Sequence, residues 1–166
     1  LEDIMIITKN GYGLRFNIEE VPVVGAKAAG VKAINLKDGD QVAAAFKSTT
    51  PSMYILTQRG SLKRMLQDDI PVTSRAKRGL QVWRELKNKP HRVFKAGPVF
   101  TDQGDFDLFT SQEEVAEQDQ ILQITSTTGQ VTEVDLTQLS ISERTSNGSF
   151  VNDTISDQEV FSATIK

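Results

Sequence analysis

Glycines recur in this chain as pairs, Gly11 with Gly30, Gly60 with Gly79 and Gly129 with Gly148, and the members of every pair stand 19 residues apart. A fixed internal spacing met three times marks one supersecondary unit written three times. Such a unit cannot bury its apolar face alone and must stack on its neighbours. The functional question is then which surface the stacked copies present.

The copies agree beyond the glycines. An apolar run enters each first glycine: Ile6-Ile7-Thr8-Lys9-Asn10-Gly11, Ile55-Leu56-Thr57-Gln58-Arg59-Gly60, and Ile124-Thr125-Ser126-Thr127-Thr128-Gly129, the last read with one extra turn residue. Asn-Gly at the first of these is a strong hairpin signal, so the glycines read as turn residues with positive φ. Further on come Glu19-Glu20-Val21-Pro22-Val23, Asp68-Asp69-Ile70-Pro71-Val72 and Thr137-Gln138-Leu139-Ser140-Ile141. Phe16 and Ile18 alternate with Arg15 and Asn17, and Val134 and Leu136 with Glu133 and Asp135, which predicts a strand after each turn. Each copy reads as four short strands. They are the run before the first glycine, the stretch after it, a third beginning at the second glycine, and a fourth near 42–46, 92–95 and 160–165. No helical period competes, so the fold class is all-β. The units are blade one at about 1–50, blade two at about 51–100, an acidic insert at about 101–119, and blade three at about 120–166.

With 166 residues and 38% apolar content the chain can bury a core, shared between copies. No apolar run approaches the roughly 20 residues of a membrane span, and no basic, apolar leader opens the chain. The absence of cysteine excludes disulfides and thiolate metal sites and fits a reducing compartment. A soluble, cytoplasmic chain is expected.

Charge is uneven. Residues 1–97 carry 17 Lys and Arg against 9 Asp and Glu, whereas residues 98–166 carry 2 against 13. The basic half suggests a polyanion-facing surface, although solvated hairpins read the same way from charge alone. The spacing breaks once, at the acidic insert. Asp102, Asp105 and Asp107 lie there without the fuller ligand pattern of a calcium loop, and so read as an acidic surface loop. Asp38-Gly39-Asp40 reads as a turn. His91 has no cysteine partner or triad and is expected at a strand edge, solvated or half-buried. Tyr12 falls in a turn, Tyr54 heads an apolar strand, and Trp83 occupies the place of Ile34 as core. No phosphate-binding loop of the Walker type is present. Neither catalytic nor metal residues are assigned.

The pattern of two apolar residues, Thr, two further residues, Gly and a basic pair, followed by a long loop and a second Gly, resembles the blades of the C-terminal domain of type IIA bacterial topoisomerase A subunits. Ile55 to Arg64, with Lys63-Arg64 after the turn, carries the resemblance best. Gly13-Leu14-Arg15-Phe16 with residues 20–34 is similar to the topoisomerase IV branch of Gram-positive type. The resemblance covers the whole chain. It implies a β-pinwheel, a propeller-like disc with strands exchanged between blades, whose rim binds and bends DNA. Three blades are fewer than the family's usual five or six, which makes this half of a larger disc, the C-terminal half, with poorly protected ends. The parent implied is an ATP-dependent type II topoisomerase of the bacterial cytoplasm and nucleoid. ATP and magnesium would act elsewhere in it, so no cofactor is expected in this segment. Partners implied are double-stranded DNA, the rest of the topoisomerase IV A subunit and the ATPase B subunit, with no membrane. The alternative within the family is the gyrase A subunit, but its Gln-Arg-Arg-Gly-Gly-Lys-Gly box is missing from residues 24–30 and 74–79. In copy three Thr132-Glu133 stands in place of the basic pair.

Tracking a DNA backbone requires clustered cations rather than a pocket, because duplex DNA presents about one charge per 1.7 Å. The DNA-binding candidates are Arg15, Lys27 and Lys32 in blade one and Arg59, Lys63, Arg64, Arg75, Lys77 and Arg78 in blade two. Contacts are expected mainly to phosphates, with any specificity coming from deformability. A second class of reading is a protein-interaction propeller whose acidic third blade docks a basic partner.

Overall fold

The computed structural model describes residues 2–100, 120–152 and 159–166. Each copy opens with an antiparallel hairpin: β1 (Asp3–Thr8) with β2 (Tyr12–Asn17), β4 (Ser52–Thr57) with β5 (Ser61–Leu66), and β9 (Ile121–Ser126) with β10 (Val131–Asp135). The turns close alike. The hydroxyl three residues before the glycine, on Thr8, Thr57 or Ser126, accepts from the backbone N–H of Tyr12, Ser61 or Gln130, and the carbonyl of that residue accepts from the glycine N–H. Ser126 therefore holds the threonine position, and the expected extra turn residue in copy three is absent. A three-residue 3-10 turn ends every hairpin, at Ile18–Glu20, Gln67–Asp69 and Leu136–Gln138. In copies one and three the preceding Asn17 or Asp135 side chain accepts a backbone N–H of that turn. Ile18, expected on the buried face of its strand, begins this turn instead and is exposed.

The last strand of each copy, β3 (Val42–Lys47), β8 (Val93–Pro98) or β12 (Val160–Ile165), returns to flank the hairpin's first strand. The third expected strand behaves differently. In copy two it is β7 (Leu80–Gln81), and it is preceded by β6 (Val72–Thr73), where no strand was expected; both pair with β2 of copy one, β6 in parallel and β7 antiparallel. In copy three β11 (Ser149–Phe150) pairs with β5 of copy two, and a bridge joins Ile141 to Arg64. We call these reaching segments, residues 72–81 and 141–150, tongues. Among the described residues the corresponding segment 23–32 of copy one forms no strand, which corrects the expectation of four strands in every copy. Among the described residues the first sheet accordingly has five strands, the second four and the third three.

Burial follows from this exchange. Met5, Ile7, Met53, Ile55, Met65, Ile70, Val82, Trp83 and Val93 fill the space between the first two sheets, and Tyr54, Leu56, Leu62, Leu122, Ile124 and Leu136 lie in that between the second and third. All six residues of β4 are buried, because a sheet covers each of its faces. Each buried Met, Ile, Leu or Val side chain in these cores contributes about 1.5–3 kcal/mol by leaving water. Ala43, Ala44 and Phe46 of β3 and Ala96 of β8 pack into the first of these cores, so the sheets converge at that edge and the tongues lie along the opposite, outer edge.

Candidate nucleic-acid interface

Tongue two is held tightly. Its two strands grip β2 at Tyr12–Gly13 and at Arg15–Phe16, and the loop between them bows over the strand to leave a cleft of about 300 Å³. Gly79 permits this approach: its φ is +90°, and a Cβ there would lie 2.3 Å from the Gly13 carbonyl oxygen. Thr73, Leu80, Lys77 and Arg78 border the cleft, and both cations are exposed. The loop also touches residues 23–35 of copy one, here segment one, where the Ala76 N–H donates to the Ala33 carbonyl and the Asn35 N–H to that of Lys77, both at 2.8 Å. Lys32 is thereby carried to the same place. It is exposed, and its ammonium donates to the Asn35 amide oxygen at 3.2 Å.

The nine sequence candidates divide on this geometry. Lys32, Arg75, Lys77 and Arg78 come together on adjoining segments at the outer edge. Lys27 is exposed on a turn of segment one. The other four are engaged within the protein. Lys63 is only 2% exposed. Its ammonium donates to the carbonyls of Glu143, Arg144 and Ser146 at 3.3, 2.7 and 2.9 Å and sits 4.9 Å from the centre of the Trp83 ring. Burial first, and the Arg144 guanidinium second, lower its pKa to about 7. Buried and saturated by tongue three, Lys63 cannot reach a phosphate; it fastens blade two to copy three, which corrects its assignment as a DNA contact.

Arg64 donates to Ser52 Oγ and to the carbonyls of Thr137 and Leu139 at the 3-10 turn of copy three. Arg15, one copy earlier, pairs with Asp3 at 3.2 Å and with Asp68 at 3.0 Å and reaches the Gln67 carbonyl, at the 3-10 turn of copy two. These two arginines are the same device in successive copies. Arg59 donates to the Lys89 carbonyl and to His91 Nε2 and lies over Phe150. His91 is buried, 7% exposed, with Nδ1 at 2.9 Å from Thr57 Oγ1 and its ring against Trp83, so the expectation of a solvated or half-buried edge histidine is corrected. Trp83 is core, as read. Sequence reasoning passed over Arg84 and Lys87, exposed on the segment joining β7 to β8, because that segment carries no repeated motif.

Among the described residues no group of His, Asp and Glu is placed to hold a metal, and no helix is long and apolar enough to cross a membrane. The aspartates of the calcium reading lie outside the described residues. Asp38-Gly39-Asp40 is a turn, with Gly39 at φ +81° and Asp40 Oδ1 accepting the Asn10 N–H.

An exchanged-strand stack of small sheets is the architecture the resemblance implied, and comparison with known proteins decides it. The profile of the DNA gyrase C-terminal domain, a β-propeller, matches residues 2–49 and 52–99. The chain belongs to the DNA gyrase C-terminal domain family. Within this family it is 60% identical over 165 residues to the A subunit of DNA topoisomerase 4 from Streptococcus pyogenes serotype M3, covering 98% of the chain and 20% of that relative. It is 59% identical over 163 residues to the same protein of Streptococcus pneumoniae serotype 4, again covering 20% of the relative. The chain thus spans about a fifth of the length of these curated relatives. A solved C-terminal domain of DNA topoisomerase IV superposes with a TM-score of 0.79 at 32% identity, covering 99% of this chain and 46% of that one. As a member of the gyrase C-terminal domain family, the chain has the fold that the blade motif implied.

Proposed function

We propose that this domain is a noncatalytic module that binds and bends duplex DNA for a type II topoisomerase, orienting the segment for strand passage in decatenation and relaxation. The observation that carries the reading is the convergence of Lys32, Lys77 and Arg78 on adjoining segments of the outer edge. Exposed cations gathered on adjoining segments suit contact with successive phosphates, and each phosphate neutralised releases counterions. In this reading the rest of the A subunit and the ATPase B subunit are the protein partners, in the bacterial cytoplasm at the nucleoid. ATP and magnesium serve the parent enzyme elsewhere.

Duplex binding measured against salt concentration tests it. Wild type should bind with an affinity that falls as salt rises, and Lys77→Ala/Arg78→Ala should weaken binding and reduce the slope of log K against log salt by about 2. An unchanged slope in the double variant sinks the assignment of this loop. No salt-sensitive binding by wild type sinks the DNA reading itself and leaves the acidic docking face as the reading to pursue.

A further inference from the structure

Aligned on their second glycines, the tongues share one residue ahead of the loop that has nothing to do with charge density. Arg75 stands four residues before Gly79 and Arg144 four before Gly148. The Arg75 Nη1 donates to the carbonyl of Lys32, and the Arg144 Nη1 to the carbonyl of Gln81. Lys32 and Gln81 are themselves equivalent, each two residues past its second glycine. The same bond is therefore made twice, from each tongue to the segment before it.

Three observations separate this bond from a phosphate contact. First, copy three has lost its cations, and Thr145-Ser146-Asn147 replaces Ala76-Lys77-Arg78, yet it keeps the arginine. Arg144 is the only Lys or Arg between Lys95 and Lys166. Second, Arg75 is tied down at further points: its Nε donates to the Glu20 carbonyl and its own N–H to Glu20 Oε1, both at 3.1 Å. Third, the next residue, Ala76, has φ +65°. A non-glycine residue in that region is strained and persists only where its surroundings over-determine it. Here the surroundings are segment one, through the bond from Ala76 to Ala33.

We infer that Arg75 and Arg144 are positioning residues that clamp each tongue to the segment before it, and that Arg75 acts on DNA binding through the placement of Lys32, Lys77 and Arg78. The clamp is a property of the repeat and stands without any ligand. Its effect on binding rests on the DNA reading above. With Arg75 in place the loop is pinned on both sides of the strained Ala76, so Lys77 and Arg78 leave it in one direction. Without Arg75 the three cations remain but their spacing drifts.

Amide hydrogen exchange and salt-dependent duplex binding, measured on the 166-residue chain as Arg75→Ala, Arg75→Gln, Arg144→Ala and wild type, test the inference. Arg75→Ala should speed exchange at Ala76 and Asn35 by about tenfold or more, lower duplex affinity several-fold, and leave the salt slope unchanged within about 0.3, because no phosphate contact is removed. Arg75→Gln, which keeps a donor and loses the charge, should recover part of the protection and part of the affinity. Arg144→Ala should speed exchange in tongue three and leave the slope untouched. A slope reduced by about 1 with exchange unaltered would make Arg75 a phosphate contact and overturn the inference. So would Arg75→Gln binding as weakly as Arg75→Ala while its amides stay protected. If wild type fails to bind duplex at any salt, the exchange measurements still decide the clamp, and only the DNA reading falls.

Discussion

Tongue two and the matching segment of copy one share a frame and differ in almost everything that the frame supports. Both carry the second glycine with φ near +90°, Gly79 at +90° and Gly30 at +92°. Around Gly79 the Gly13 backbone is so close that a Cβ would overlap it, whereas nothing lies within 4 Å of the Cβ position of Gly30. The apolar residues follow suit: Ile70 and Val82 are buried, while their counterpart Val21 is exposed and Ala33 half-buried. Identical local backbone thus coexists with opposite environments. The turn is dictated by neighbouring residues in sequence, whereas the burial of tongue two comes from its grip on the hairpin of copy one.

The sharpest way to break this comparison is a matched pair of substitutions. Gly79→Ala adds a backbone overlap to an unfavourable φ and should cost about 3–5 kcal/mol, detected as a lowered urea midpoint. Gly30→Ala meets only the φ penalty and should cost about 1–2 kcal/mol by the same assay. Equal losses would mean that tongue two does not grip β2 as described. The fastening between blade two and copy three gives the next effect. Arg64→Ala removes bonds from a charged donor to two carbonyls and should destabilise by about 1.5–3 kcal/mol in chemical denaturation.

Lys63 extends the comparison to pH. Its folded pKa, about 7, lies below the ordinary lysine value of 10.5. Between those two values the unfolded chain binds more protons than the folded one, so this group makes stability rise with pH from about 7 to about 10. Tyr54 has the opposite sense: burial raises its pKa to about 12, and stability falls above about pH 10 as the unfolded phenol ionises first. Thermal midpoints across this range should climb and then drop, and Lys63→Met should flatten the climb while leaving the drop. The smallest effect belongs to Lys27→Ala. With an exposed side chain on an ungripped segment, it should leave the urea midpoint within about 0.5 kcal/mol of wild type.

Much of the fold was legible because it is local. Hairpin turns follow from Thr8 and Thr57 with their glycines, whereas in copy three Ser126 takes the threonine's role and the reading added a turn residue; the last strand of each copy fell where the apolar runs placed it. Strand exchange entered through the family resemblance and not through periodicity, since Leu80-Gln81 reads as a strand whichever sheet it joins. The site was harder to read. Lys63 and Arg64 are adjacent basic residues on a short strand, and alternation says only that they point to opposite faces. That tongue three would enclose Lys63 and the 3-10 turn of copy three would hold Arg64 depended on residues 73 to 83 positions away. Arg75, Lys77 and Arg78 look equivalent as a basic run, and only the carbonyls facing Arg75 tell it apart. The one available signal was the alignment of Arg75 with Arg144 on their glycines.

Because each tongue reaches back to the hairpin before it, folding is tied to the direction in which the chain is made. The first sheet has its own three strands once Lys47 has been added, yet it lacks β6 and β7 until Gln81 emerges, and the second waits likewise for Phe150. During synthesis each of the first two hairpins therefore spends an interval with an open strand edge, which its successor closes. A ribosome that stalls between copies leaves the last sheet exposed, with the unpaired backbone edge of β2 or β5 ready to pair with another chain.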